Sequence, residues 1–232
     1  MKKGKLYVVA TPIGNLEDIT FRAVDILKSV PFVLAEDTRE SRKLCERYGI
    51  EGNLVSYRDQ NHVSMIGKII EKLDMGLDLA LISDAGTPLI SDPGYKLVRD
   101  LRNGGYEVVS IPGASAVVSA LCISGLPTDR FIFLGFLPKS EKKRKEILSN
   151  YLMLNDTVIV YESPNRVVKL LELVNGIFPK CTAFLAKDIS KLHEESFYGS
   201  VGNILESLHE RNFENSPHGE FVCIFNLSNF NN

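Results

Sequence analysis

Two clusters of ionisable side chains could carry chemistry in this chain. Glu36, Asp37 and Arg39 stand almost adjacent, and Lys191, His193, Glu194 and Glu195 form a second dense group. A carboxylate can take a proton from a nucleophile, a lysine can stabilise a developing oxyanion or hold a phosphate, and a histidine titrates near neutral pH. Glu36, Asp37, Lys191 and Glu194 are therefore the candidate catalytic groups. Plainer roles stand beside these. Asp37 or Thr38 also fits the cap of a following helix. Lys191 also fits a solvated surface, and a lone histidine is more often chemically silent.

Four loops have an unusual composition: Thr11-Pro12-Ile13-Gly14-Asn15, Glu36-Asp37-Thr38-Arg39, Ser83-Asp84-Ala85-Gly86-Thr87-Pro88 and Pro112-Gly113-Ala114-Ser115-Ala116. Small and tight-turn residues let a backbone approach a ligand closely. Taken singly, each loop reads slightly better as ordinary turn punctuation, but four at one sheet edge shift the balance toward a binding crevice. Neither GxGxxG nor GxxxxGK[ST] occurs, which argues against a dinucleotide-binding dehydrogenase and a P-loop NTPase. His62, His193, His209 and His218 lack metal-ligand spacing and sit near no cysteine pair, so no metal is expected. Two basic runs, Lys139 to Lys145 and Thr38 to Lys43, could meet phosphates, with Arg39, Lys142, Lys143, Arg144 and Lys145 as the candidate contacts. A solvated helix face is the alternative for Lys142 to Lys145. Phe136 and Tyr161 could stack on bases, but read more readily as core.

These groups need a scaffold. The chain has 232 residues, 44% hydrophobic and 24% charged, which is ordinary globular composition. A formal net charge of -2 excludes a wholesale polycation but not a local basic patch. Cys45, Cys122, Cys181 and Cys223 are scattered without a CxxC pair, so reduced thiols and a cytoplasmic setting fit better than a disulfide framework. The apolar run Leu6 to Ala10 is too short for a signal peptide, and no stretch is long enough to span a membrane.

In the first half, short apolar runs without alternation predict strands buried on both faces: Leu6 to Ala10, Phe32 to Ala35, Leu54 to Tyr57, Leu77 to Ile82 and Glu107 to Ile111. Amphipathic helices fit between them. One begins at a Thr20 cap and buries Phe21, Val24, Ile26 and Leu27. Another buries Ile66, Ile69, Ile70 and Leu73. A third runs from an Asp92 cap to a stop at Gly104-Gly105. The second half predicts strands at Phe131 to Phe136, Thr157 to Tyr161, Thr182 to Ala186, Glu195 to Tyr198 and Glu220 to Asn226. Its helices fit at Glu141 to Met153, Arg166 to Phe178 and Val201 to Arg211. The short gap between Ala186 and Glu195 predicts a hairpin and hence a mixed sheet. The expected architecture is two α/β domains, residues 1–116 with a mostly parallel sheet and 117–232 with a mixed one, and a loose tail at Asn229 to Asn232.

The strings LYVVATPIGNLEDIT, AEDTRESRKL, LISDAGTPLISDPGYKLV, IPGASA, GLPTDRFIFLGFLP, YESPNR and KLHEE together resemble the tetrapyrrole methylase family. Within it they are most similar to the bacterial branch that methylates the ribose 2'-O of a cytidine in small-subunit ribosomal RNA. The resemblance runs from Leu6 to about Phe225. Asn165, Lys187-Asp188 and Asp59-Gln60 depart from the branch's usual residues. The resemblance implies S-adenosyl-L-methionine in a cleft between two domains. Pro12, Gly14, Asp84, Ala85, Gly86, Thr87, Pro88, Ile90, Ser115 and Ala116 would bind it, with Tyr161 and Ala186 as looser contacts. It also implies ribosomal RNA or the small ribosomal subunit as partner, and a homodimer. A methylase of a small tetrapyrrole on the same fold is the alternative, and a non-catalytic RNA-binding module is a third reading that would have no use for the crevice loops.

Overall fold

The computed structural model describes residues 2–227; the expected tail at Asn229 to Asn232 lies outside the described residues. The chain divides into two compact units, Met1–Ser115 and Ala116–Asn232.

In the first unit five strands alternate with four helices. They are β1 (Leu6–Val9), α1 (Phe21–Ser29), β2 (Phe32–Ala35), α2 (Thr38–Tyr48), β3 (Asn53–Ser56), α3 (His62–Asp74), β4 (Leu79–Ile82), α4 (Tyr95–Asn103) and β5 (Val108–Ile111). All pairings are parallel, in the order β3-β2-β4-β1-β5. The central strands β1, β2 and β4 are apolar throughout because alternate residues enter different cores, while the edge strands β3 and β5 admit Asn53, Ser56 and Ser110. Val9, Val33, Ala35, Ala80 and Ile82 pack with Ala23 and Leu27 of α1 and Cys45 of α2. Leu6, Leu34, Leu79 and Leu81 pack with Ile69 and Leu73 of α3 and Leu97 and Leu101 of α4. Two helices therefore cover each face, the arrangement that a parallel sheet demands.

Three local expectations need correction. Phe21 is 94% exposed, because Ala23 and Leu27 set the buried stripe of α1 and Phe21 stands about 160° round the helix from Ala23. Asp92 does not cap α4. The helix starts at Tyr95, Gly94 holds the cap position at φ 126°, and the Gly94 amide donates to Asp59 Oδ1 at 3.1 Å. The position favours glycine, since φ 126° is backbone that side-chain-bearing residues rarely adopt and a Cβ would press on Leu81 Cδ2 at 2.9 Å. Residues 116–123, where the sequence reading placed no element, form a helix of the second unit.

That unit contains α5 (Ala116–Ile123), β6 (Phe131–Phe136), α6 (Glu141–Leu152), β7 (Thr157–Glu162), α7 (Pro164–Ile177), β8 (Thr182–Lys187), β9 (Glu195–Ser200), α8 (Val201–Glu210) and β10 (Phe221–Asn226). The strand order is β6-β7-β10-β8-β9. Strand β6 pairs with β7 in parallel; the other pairings are antiparallel, including the expected β8–β9 hairpin. Alternation again sorts the strands. Val158, Val160, Leu185, Phe221 and Cys223 face a core with α6, α7 and α8. Ile159, Phe184, Val222 and Ile224 face a core with α5 alone. No helix among the described residues is long and apolar enough to cross a membrane.

Candidate active site

Parallel strands present all their carboxyl ends at one edge, where ligands of open α/β sheets bind. In the first unit that edge collects the predicted loops after β1, β2, β4 and β5. Two of them are stitched backbone to backbone: the Thr11 amide donates to Gly86 O at 2.8 Å, and the Gly86 amide donates to Thr11 O at 3.1 Å. Thr11 Oγ1 adds a bond to Ser83 O at 3.3 Å, and Thr87 Oγ1 donates to Ala114 O at 3.1 Å. Pro12, Gly86 and Pro88 are buried supports, whereas Gly14, Asp84, Ala85 and Ile90 are exposed. Thr87 and Ser115 are intermediate. Gly86 sits at φ 77°, and a Cβ there would lie 3.2 Å from Ile13 Cγ2. Leu89 and Ser91 also adopt left-handed backbone, at φ 74° and 67°. Non-glycine residues in that region are sparsely populated and concentrate at functional sites.

Carboxylates dominate this edge. Burial, followed by the Asp84 charge, raises the Glu36 carboxyl above its usual range. Burial pushes Asp92 up to about 6; a hydrogen bond with Ser83 opposes the shift, while the Glu36 and Asp84 charges add to it. Asp37 behaves oppositely. Its Oδ1 accepts from the Arg39 amide at 2.9 Å as the cap of α2, and Arg39 Nη2 donates to its Oδ2 at 2.7 Å. These bonds with Arg39 hold Asp37 well below the usual carboxylate range. Such an anion is a weak proton acceptor. Arg39 is thereby tied to its own helix start, and Arg58 Nε donates to Glu36 O at 3.0 Å. Among the described residues no three His, Cys, Asp or Glu side chains could hold a metal ion.

In the second unit β6, β7 and β8 run the same way and share a carboxyl edge. Registry places Tyr161 opposite Val222, and Val222 opposite Ala186, so these two predicted contacts fall in one cross-strand row. Ala186 itself is buried in the core under α5. Ala116 opens α5 and packs on the same core. The loop after β8 carries the second ionisable cluster. Lys191 Nζ donates to Glu220 Oε2 at 2.8 Å and lies 3.4 Å from Asp188 Oδ1. Burial works against its charge, yet the Glu220 and Asp188 contacts outweigh it and hold the ammonium above its ordinary value. Glu194 Oε2 accepts from the Ser190 amide at 2.7 Å. Asp188 and Ser190 are left-handed at φ 53° and 66°. Glu194 and His193 are exposed.

Of the predicted basic contacts, Lys142, Lys143 and Lys145 are exposed, but Arg144 is not. It is 7% exposed and lines up with Leu148 and Leu152 on the buried stripe of α6, four residues apart. Its Nε and Nη1 have no hydrogen-bond partner. Arg144 is therefore corrected from a phosphate contact to a buried residue. Sequence reasoning missed Asp92, read as a cap although Ser91-Asp92 repeats the Ser83-Asp84 pair. It also missed Arg58. Phe136, read as core, is 60% exposed.

Comparison with known proteins agrees with this arrangement. The family model for Tetrapyrrole (Corrin/Porphyrin) Methylases matches residues 5–205. Ribosomal RNA small subunit methyltransferase I of Hydrogenobaculum sp. (strain Y04AAS1) is 44% identical over 228 residues, covering 97% of this chain and 96% of that protein. Its counterpart of Bacillus subtilis (strain 168) is 42% identical, covering 97% and 76%. Uroporphyrin-III C-methyl transferase from Thermus thermophilus, solved with S-adenyl homocysteine, is similar in fold with a TM-score of 0.64, at 18% identity over 96% of this chain and 97% of that one. With glycine-stitched loops at one sheet edge and a family match spanning most of its length, the chain belongs to the tetrapyrrole (corrin/porphyrin) methylase family.

Proposed function

We propose that the protein transfers a methyl group from S-adenosylmethionine to the ribose 2'-O of a cytidine in small-subunit ribosomal RNA. The observation that carries this reading is the 44% identity, over nearly the whole of both chains, to a relative named ribosomal RNA small subunit methyltransferase I. The tetrapyrrole alternative rests on neighbours below 20% identity, which share the fold alone. A cytoplasmic homodimer belongs to the same reading, and sedimentation of the purified protein tests its oligomeric part.

The residues of the first edge fit the methyl donor. A sulfonium is a cation, and Glu36, Asp84 and Asp92 form an acidic group whose members gain from a nearby positive charge. Gly86 and Gly113 let the loops of this edge close on one another, since a Cβ would lie 3.2 Å from Ile13 Cγ2 and 2.9 Å from Ala10 Cβ respectively. When bound, the donor supplies an activated methyl group. The protein's work is then alignment, exclusion of water and management of one proton.

A ribose hydroxyl gives up its proton as its oxygen bonds to carbon. Glu36 is the group we assign to accept it, because its raised affinity for protons suits a base better than the anion-stabilised Asp37. In the second unit Lys191, kept charged by Glu220 and Asp188, is a cation suited to an RNA phosphate. Glu194 holds the strained loop through Ser190 and acts as a positioning residue.

The test is radiolabelled methyl transfer to small ribosomal subunits from a strain lacking the gene, with the product mapped. Label on the 2'-O of one cytidine is expected. Label in a tetrapyrrole precursor, with none in RNA, overturns the reading.

A further inference from the structure

An exposed aromatic ring at the carboxyl edge of the second sheet has no role in the account above. On an unbroken strand Phe133 and Phe136, three residues apart, would point to opposite faces. Strand β6 gains one residue against β7 between them, so Phe133 lies opposite Ile159 and Phe136 opposite Tyr161. Gly135, at φ 63°, supplies the backbone conformation for this bulge. Both rings therefore flank Tyr161, with centroids 4.9 and 5.6 Å away at interplanar angles of 67° and 59°. Phe133 is held against the α5 core, but Phe136 is 60% exposed at the open end of the row.

The chain then turns through buried Leu137 into α6, where positive charge follows at once. Lys139, Lys142, Lys143 and Lys145 are exposed, and none is ion-paired among the described residues. A π-face beside unneutralised cations matches the two halves of a nucleotide: a base to stack and a phosphate to neutralise. A carboxylate-bearing protein partner would use the lysines but leave the ring without a purpose, and a purely apolar partner would bury lysines without counter-charge.

We propose that Phe136, braced by Tyr161, is a stacking platform for an unstacked base of single-stranded or looped RNA, and that Lys139, Lys142 and Lys143 hold the flanking phosphates. The platform rests on the methyltransferase reading for its substrate class and adds a specificity-determining residue to it. Because a π-face is common to all bases, it selects an exposed, unpaired base rather than a particular sequence.

The experiment pairs kinetics with a direct reporter of stacking. Phe136→Leu keeps apolar volume and removes the π-face; Phe136→Tyr restores the face. For Phe136→Leu the KM for small ribosomal subunits should rise about tenfold or more, with kcat changed less and calorimetric affinity for S-adenosylmethionine unchanged. Phe136→Tyr should return KM close to the starting value. An RNA fragment carrying 2-aminopurine at the unpaired position should be quenched by the original protein and not by Phe136→Leu. Lys142→Ala with Lys143→Ala should weaken RNA binding and flatten its salt dependence while retaining the quench at saturation. An unchanged KM and quench in Phe136→Leu overturns the platform. So does a Phe136→Leu protein that sediments as a smaller species than the original, which would assign the ring to contact between copies. Failure of the functional reading looks different: no methyl reaches RNA from the original protein, yet the 2-aminopurine measurement still decides the platform.

Discussion

The two units bury their sheets by the same alternation but end in opposite chemistry. The first edge is acidic, with Glu36, Asp37, Asp84 and Asp92 around backbone turns. The second carries an exposed ring, Phe136 on Tyr161, followed by the exposed lysines Lys142 and Lys143, while its Lys191 is neutralised by Glu220 and Asp188. Coverage differs too. Two helices shield each face of the first sheet, whereas α5 alone shields one face of the second. A sulfonium donor and a polyanionic acceptor carry opposite charges, and one chain that must handle both is served by separating the two kinds of edge. The slightly negative net charge of the chain conceals this division.

The largest effect expected is at Gly86. In Gly86→Asp a side chain enters a left-handed position 3.2 Å from Ile13 Cγ2, so calorimetric affinity for S-adenosylmethionine should fall by more than about a hundredfold, since strain and lost alignment add. Binding within a few-fold of the original would remove the acidic edge from the donor site. Next in size, changing Lys139, Lys142 and Lys143 together to Ala should reduce the salt slope of RNA binding by about 2, the share of three phosphates on a single strand. Donor affinity should not change. Arg144→Met should leave that slope alone and raise Tm, because it removes a buried guanidinium with unpartnered nitrogens.

A smaller effect concerns pH. Folding raises Asp92 from 3.8 to about 6, so between those values the folded chain keeps a proton that the unfolded chain has released. Its contribution to stability is best below the unfolded pKa and falls as pH rises to about 6. A bound cation favours the carboxylate, so donor affinity should rise as pH climbs through about 6 and then level off. In Asp92→Asn that rise should disappear and Tm at pH 7 should increase. A pH-independent affinity in the original protein would separate Asp92 from the donor. The smallest expected change is in Asp37→Asn, where the α2 cap is partly retained and activity should fall less than in Glu36→Gln.

Much of the fold was legible because buried parallel strands write themselves as unbroken apolar runs, as Leu79-Ala80-Leu81-Ile82 does. The Ala186–Glu195 gap announced the hairpin in the same direct way. Side-chain orientation was harder to read. Phe21 and Arg144 each had a residue type that favoured one answer and a helical phase that imposed the other. Phe136 was hidden by a bulge, since one inserted residue reverses the face that counting assigns. Asp92-Pro93-Gly94 carried a convincing helix start, but a glycine in backbone that side-chain-bearing residues rarely adopt took the cap and freed the carboxylate. The family strings pointed to the loops of the first edge, while the opposite pKa directions of Glu36 and Asp37 depended on which one Arg39 reaches.

The reciprocal bridge between Thr11 and Gly86 limits how a ligand can be read there. Both amides are already spent on each other's carbonyls, and Gly86 also leans on Pro12 O at 3.3 Å. The stitched pair is a clamp, not a reader, and in hydrogen–deuterium exchange these two amides should stay slow with or without the nucleoside in place.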